Sequence, residues 1–373
     1  MKITAIRADG FRNLKNVDIA LHPKLNILCG SNAQGKTNLL EALWLCTGER
    51  SFRGAKDREL IAADGKKLCI SAEFEDNRRV QVIEYSFSRS DMRNKKLTLN
   101  GVPLKTPSEL FGKLRCVIFT PEDLSLSKGS PDNRRSFADQ SVSQLKLSYR
   151  NVVDKYKRIL EQRNLQLKLI ASGRSDDSML DIWDTQLSQM GAYITMLRYN
   201  YCKKLNTAAA ALYDEISLGS EKLEIVYSST VYKKLDELDG RTDYKGELSE
   251  EYFKKLKESR SDDIRAGFTI HGIHRDDLLC SINGMSAKEY ASQGQHRSIA
   301  LIMKLSQAYI LGEEMSDPPC ILLDDVLSEL DPARQSFVMN KIKGMQVIIT
   351  CCDSSALTYT EGKVFEVSAG SFK

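Results

Sequence analysis

The sequence predicts an α/β protein whose main domain is assembled from both ends of the chain and interrupted by a mainly helical insertion. Three observations carry this prediction. Near the amino terminus, residues 25 to 46 read as a short apolar strand, a glycine loop and a helix. Near the carboxy terminus, Cys320-Ile-Leu-Leu-Asp324-Asp325 reads as a buried strand ending in two acids. Between about residues 140 and 220 proline is absent, and apolar residues from Trp183 to Ile216 recur at a mean spacing of about 3.7, the period of a helical stripe.

Taken in order, Ile3 to Ile6, Val17 to Leu21 and Leu25 to Cys29 are apolar stretches broken by turn residues such as His22-Pro23, and they predict strands. Thr37 to Cys46 places Leu39, Leu40, Leu43 and Trp44 on one helical face. Four further strands are expected at Leu68 to Phe74, Val80 to Phe87, Leu97 to Leu104 around a hairpin turn at Asn100-Gly101, and Val117 to Thr120. A helix from Leu145 to Ile170, a turn in Ala171 to Asp177 and the long stripe that follows predict two antiparallel helices packed on each other. Residues 222 to 262 read as a second sheet-like stretch with polar loops, and strand, helix, strand order returns from Gly267. The expected domains are therefore 1–125 plus 265–373 for the head and 126–264 for the insertion.

Composition sets bounds on function. With 373 residues, 42% hydrophobic and 28% charged, the chain reads as a soluble globular protein with a sizeable core. A net charge of +4 is too mild to demonstrate a nucleic-acid partner, so any basic surface must be local. Nine cysteines without a CxxC pair, no signal-peptide core and no apolar run of membrane-spanning length point to a reducing cytoplasm.

The chemistry lies in three strings. Gly30-Ser31-Asn32-Ala33-Gln34-Gly35-Lys36-Thr37 fits GxxxxGK[ST], which average composition produces by chance in about one chain in a hundred of this length. Its place between a strand and a helix is what the mechanism requires. Backbone N–H groups and the helix N-terminus wrap a β-phosphate, Lys36 reaches the β and γ oxygens, and the Thr37 hydroxyl binds Mg²⁺. Asp324 then supplies the second acid on the metal side, through a metal-bound water, and Asp325 is the candidate base for an attacking water. Ser292-Gln293-Gly294-Gln295 opens a helix, where a Ser cap and a free N-terminus suit a phosphate without a metal.

These strings, with Gly10-Phe-Arg12-Asn13, Gly30 to Asn38, Ser51-Phe-Arg53, Thr120 to Leu124, Lys128 to Arg135, Gly272 to Asp277 and Leu327 to Asp331, run in family order over nearly the whole chain. In them the sequence resembles the ATP-binding-cassette head of the SMC-like DNA-repair ATPases, most closely the RecF family. The resemblance implies an ABC-type P-loop ATPase head with an inserted helical arm. It also implies weak hydrolysis of ATP with Mg²⁺ and two heads joined head to tail. Gly30 to Asn38 of one copy, with Arg12 and Asn13 nearby, would hold each nucleotide, and Ser292 to Gln295 of the other copy would cap it. ATP-driven dimerisation on single- and double-stranded DNA at gaps or junctions, release by hydrolysis, and partners RecR, RecO and RecA in gap repair and the SOS response belong to the same implication.

Departures from the family pattern stand at His271, Ile273 and His296. Asp325 occupies a position where many cassette ATPases have Glu, and Thr350-Cys351-Cys352 replaces a switch His, so slow turnover is expected. His271 and His274 read as part of a structural turn rather than a metal pair.

From Lys146 to Arg174 there are eight basic and two acidic residues. Lys146, Arg150, Lys157 and Arg158, extended by Arg134 and Arg135, are the candidate DNA phosphate contacts, and a solvated helix face is the alternative. A cassette subunit of a transporter or of a nuclease complex is the other functional reading. The first needs a Gln-bearing loop that is replaced around Thr120 to Leu124, and the second needs a carboxylate cluster that residues 332 to 373 do not offer.

Overall fold

A computed structural model of the chain describes residues 1–92, 95–235, 244–352 and 361–373. They form two compact units, Met1–Ser125 with Arg297–Lys373, and Leu126–His296. The second boundary falls at residue 296 rather than 264, because two strands on either side of residue 264 pair along their full length, as shown below.

The first unit holds two sheets. Strands β1 (Lys2–Asp9), β2 (Val17–Ala20), β4 (Lys67–Glu75), β5 (Val80–Ser88), β6 (Lys96–Leu99) and β7 (Val102–Pro103) form an antiparallel sheet in the order β2-β1-β4-β5-β6-β7. One face is apolar by strict alternation: along β4, Leu68, Ile70, Ala72 and Phe74 are buried while Lys67 and Glu75 are exposed. The hairpin expected at Asn100-Gly101 is present, with φ of 53° and 76°, the left-handed pair that a two-residue turn requires.

The second sheet has the order β15-β14-β3-β13-β12-β8, built from β3 (Leu25–Cys29), β8 (Cys116–Phe119), β12 (Cys320–Asp324), β13 (Val347–Cys351), β14 (Lys363–Ser368) and β15 (Ser371–Phe372). All of its strands are parallel except β15, which pairs antiparallel with β14. Continuous runs such as Cys320-Ile-Leu-Leu suit strands covered on both faces. Helix α1 (Lys36–Leu45) shares one core with both sheets, and Leu39, Leu40, Glu41, Leu43 and Trp44 are all buried. The one-sided face expected for it is thus a helix buried nearly all round. The short α2 (Asp57–Leu60) and α10 (Pro332–Lys341), the latter capped by Asp331, complete the unit with most of α9 (Gln293–Met315).

The second unit contains α3 (Pro131–Leu145), α4 (Tyr149–Ala171) and α5 (Leu180–Ile216). Arg163 bonds Asp184 and Tyr149 bonds Arg198, so α4 and α5 run antiparallel as expected. The sheet-like reading of 222 to 262 is corrected. Only β9 (Leu223–Ser228) is a strand among the described residues there, and α6 (Glu247–Glu258) and α7 (Arg260–Ala266) are helices. Leu248, Tyr252 and Leu256, four apart, form the buried helical stripe that this reading overlooked. Residues 236–243 of that stretch lie outside the described residues. Strand β10 (Asp277–Ile282) pairs antiparallel with β9 over six residues and with β11 (Met285–Ser286), and α8 (Ala287–Tyr290) follows.

Buried polar residues organise this unit. Arg163, fully buried, binds Asp184 at 2.6 Å and Asp263 at 2.7 Å, and Arg198 pairs with Asp139. Gly272 to Asp277 supplies further links: Asp276 accepts from Tyr227 at 2.6 Å and from the Thr230 amide at 2.8 Å, while Arg198 donates to the Ile273 carbonyl at 2.7 Å. His274 bonds the Tyr156 hydroxyl and the Thr269 carbonyl. His274 is thereby tied into the fold by both ring nitrogens.

Burial pushes the His274 imidazole down to about 4. The group is neutral in the fold and gains its proton more readily when unfolded, so its stabilisation is complete above about pH 6.5 and falls as pH drops toward 4. The urea midpoint of the native protein should decline over that window, and His274→Gln should flatten the decline. Asp276, whose carboxyl burial raises, contributes in the opposite sense and is common to both proteins. Equal slopes for the two proteins would exclude His274 as the titrating group.

Candidate nucleotide site

The glycine loop joins β3 to α1, as the sequence requires. Gly30 lies against β14 so closely that a Cβ there would stand 2.3 Å from the Val367 carbonyl oxygen. The Asn13 amide donates to the Ala33 carbonyl at 3.2 Å and accepts from Asn38 at 2.7 Å, so Asn13 holds the loop from the side. Lys36 is 6% exposed, its ammonium held by the Gly30 and Ser31 carbonyls with the Cys352 sulfur at 3.6 Å.

At the end of β12, Asp324 accepts from the Thr37 hydroxyl at 2.7 Å and from Thr350 at 3.1 Å. These bonds oppose burial, the largest influence on the carboxyl, which holds it above its ordinary range, and Asp325 beside it acts in the same direction as burial. Asp325 breaks out of the strand with φ of 52°, its amide donating to Thr350 Oγ1 at 2.8 Å. Thr37 and Asp324 thus present two oxygen donors side by side, the hard ligand chemistry that Mg²⁺ takes.

The sequence reading left out Glu41 and gave Ser51 and Arg53 no individual role. Glu41, fully buried, accepts from Arg12 at 2.9 Å and from the Ser51 hydroxyl, and Arg53 lies 3.8 Å away. Arg12 is thereby directed by a carboxylate one turn beyond Thr37. A single acid inside the apolar run Leu39-Leu-Glu-Ala-Leu-Trp44 was the available signal. Arg53 also donates to Asn38 at 3.0 Å. Thr350, read only as a replaced switch residue, ties Asp324 to Asp325.

Ser292 caps α9 reciprocally with Gln295: the Gln295 amide donates to Ser292 Oγ at 3.2 Å and the Ser292 amide donates to Gln295 Oε1 at 2.7 Å. Gln295 also donates to Glu221 at 2.7 Å. Ser292 and Gln293 are exposed, with Gly294 in the first turn. His296 is buried and bonds Ser127 at 2.8 Å. Ser292 to His296 belong to the second unit and the phosphate loop to the first.

The basic candidates divide sharply. Arg134 is withdrawn, because it is 3% exposed, binds both Asp277 oxygens at 2.8 Å and donates to the Gly129 carbonyl at 2.7 Å. Arg135 is withdrawn too, its guanidinium spent on the Asp276 carbonyl and on Asp132. Arg150 is half-buried beside Asp154 at 3.4 Å. Lys146, Lys157 and Arg158 are exposed.

The family described as the RecF/RecN/SMC N-terminal domain matches residues 2–370. The DNA replication and repair protein RecF of Clostridium acetobutylicum is 38% identical over 94% of this chain and 93% of its own length. The chain belongs to the RecF family. The RecF of Alkaliphilus oremlandii is 36% identical with the same coverage. A solved structure of the recombination mediator protein RecF with ATP in the RecFOR pathway superposes with a TM-score of 0.89 at 34% identity, covering 100% of this chain and 97% of that one. An SMC head bound to the C-winged helix domain of ScpA, 13% identical with a TM-score of 0.53 and covering 100% of this chain and 96% of that one, shares the fold. The protein is accordingly an ABC-type ATPase head with SMC-like architecture, of the DNA replication and repair class. A transporter or nuclease subunit has no counterpart among these relatives. No helix among the described residues is long and apolar enough to cross a membrane.

Removing the ammonium in Lys36→Met should weaken ATP binding by roughly 10- to 100-fold, the worth of about 1.5–3 kcal/mol for charge-assisted bonds, in a nucleotide titration. Asp324→Asn relieves a buried, desolvated charge. It should raise the melting temperature of the nucleotide-free protein while abolishing turnover, and a melting temperature that falls would contradict that account of Asp324.

Proposed function

We propose that the protein is an ATP-gated DNA clamp that acts as a recombination mediator in the cytoplasm. ATP binds in Gly30 to Thr37, with Arg12, Asn13 and Asn38 beside it. Two copies join head to tail, and Ser292 to Gln295 of each copy caps the other's nucleotide. The observation that carries the reading is the 2.7 Å bond between Thr37 and Asp324, because it brings the two metal-side oxygens of the motif together across the sequence.

Thr37 and Asp324 would hold Mg²⁺, directly and through water respectively, and the ion supplies positive charge against the β- and γ-phosphate oxygens when bound. Lys36 neutralises the same phosphates, turning from loop carbonyls to anionic oxygens. Asp325 stands one residue beyond Asp324 on the backbone turned by its left-handed φ, and it orients the attacking water and accepts its proton. Its carboxylate is one methylene shorter than Glu, so hydrolysis is slow and the bound dimer is long-lived. That kinetic profile suits a clamp assembled at gaps or single/double-strand junctions and released after hydrolysis. RecR and RecO are the partners, with RecA loading in gap repair and the SOS response as the outcome.

On this reading Ser292→Arg spares ATP binding by the monomer and prevents the ATP-dependent dimer, while Asp325→Asn binds ATP and accumulates as dimer. Gel filtration with and without ATP checks both, and a Ser292→Arg protein that dimerises like wild type contradicts the composite site.

For DNA, three exposed cations of the second unit carry the proposal: Lys146, Lys157 and Arg158. Their replacement by Ala should weaken binding to all duplex sequences alike and reduce the salt slope by up to roughly one unit per contact removed, with ATP affinity unchanged. An unchanged slope across a salt series would assign them to a solvated face.

A further inference from the structure

We infer that the carboxy-terminal hairpin is a positioning element of the phosphate loop, its turn latching the loop at Gln34 and Asn13. The inference rests on the reading of Gly30 to Thr37 as the triphosphate cradle.

The hairpin is formed by β14 and β15, paired Val367↔Phe372 and Ser368↔Ser371 around the two-residue turn Ala369-Gly370. Both turn amides point at one residue of the loop. Gly370 N–H donates to the Gln34 carbonyl at 2.8 Å, and Ala369 N–H donates to Gln34 Oε1 at 2.7 Å. Main chain and side chain of Gln34 are therefore held together, which fixes both its backbone and its rotamer.

The turn also rests on Asn13. At Gly370, with φ of 81°, a Cβ would come within 2.0 Å of the Asn13 carbonyl oxygen, so only glycine permits the approach. Asn13 in turn donates its side-chain amide to Ala33, the neighbour of Gln34. Asn13, the loop and the turn thus form a closed ring of contacts around the middle of the cradle.

Ala369 adds an independent sign that the turn is built for this contact. Its φ of 49° is left-handed, a conformation that hairpin turns normally give to Asn, Asp or Gly at this place. Such unfavourable backbone persists where surrounding contacts over-determine it, and it clusters at functional sites. Here the contact that over-determines it is the bond to Gln34.

A loop that must aim several amides at one phosphate loses conformational freedom on binding unless it is ordered beforehand. Two bonds from a hairpin anchored in the central sheet supply that order. Gln34 is then a positioning residue: its own polar groups are engaged by the turn, and it acts on the nucleotide through the shape of the loop.

The experiment compares wild type with Gln34→Met, with a chain ending at Ser368, and with the two changes combined. In nucleotide-free protein, exchange of the Ala369 amide hydrogen, which is donated to Gln34 Oε1, should be about tenfold faster in Gln34→Met. The ATP dissociation constant and KM should rise about fivefold in Gln34→Met, roughly the loss of one bond, and by more in the truncated chain, which loses both, while kcat is retained, because a preorganised loop serves ground and transition states equally. The combined variant should be no worse than the truncated one, since both changes undo one latch.

Unchanged exchange in Gln34→Met overturns the latch whatever happens to ATP, and so does a combined effect equal to the product of the single effects. Failure of wild-type protein to bind ATP overturns the cradle reading instead, and the exchange measurement still decides the latch. Gln34→Met alone decides the matter if the truncated chain does not fold.

Discussion

Everything in the head depends on bringing Thr37 and Asp324 into hydrogen-bonding contact. They are 287 residues apart in the chain, and the bond exists because β3, which launches the phosphate loop, is flanked by strands from the carboxy-terminal segment. Parallel pairing of β3 with β13 and of β13 with β12 sets the carboxyl ends of these strands level. The loop, the Asp324 carboxylate and Thr350 consequently emerge on one edge, where open α/β sheets bind ligands. The antiparallel sheet contributes by covering α1, so the helix that follows the loop cannot tilt without disturbing Trp44 and the packed face of β4.

The second unit is stabilised by a different balance. Its interior holds charged pairs that an apolar core would avoid: Arg163 with Asp184 and Asp263, Arg198 with Asp139, and Arg134 with Asp277. Breaking one partner of such a pair leaves an uncompensated charge, at a cost of about 3–5 kcal/mol, although a well-packed apolar replacement of the whole pair can be neutral. The pairs join different elements, with partners from 21 to 143 residues apart, so the network specifies which helix meets which. Gly272 to Asp277 is the hub, bonding residues of α4, α5, α6 and β9 within six positions.

Legibility in the sequence followed the locality of the chemistry. The strand, glycine loop and helix at 25–46, the buried strand ending in Asp324-Asp325 and the Ser292 cap were legible because each is spelled out in a short local string. The antiparallel helices were legible because their stripes are long. Arg134 misled because a basic residue looks the same in sequence whether it faces solvent or a carboxylate, and its partner Asp277 is 143 residues away. Glu41 was overlooked because its value comes from Arg12 and Ser51, which only the fold gathers. The helices at 247–266 were read as sheet because their charged outer faces dilute the buried triad Leu248, Tyr252 and Leu256.

The place of β3 between β13 and β14 also governs the order in which the chain can fold during synthesis. Leu25-Asn-Ile-Leu is made early, yet both of its strand neighbours leave the ribosome only after more than 300 further residues, so its two edges stay unpaired while the insertion is completed. Unpaired apolar edges are the segments that seek foreign partners in incomplete chains. The second unit, continuous in sequence from Leu126 to His296, can reach its buried ion pairs first. The head then closes only when the last strands arrive, so a chain truncated before β13 lacks both neighbours of its phosphate-loop strand.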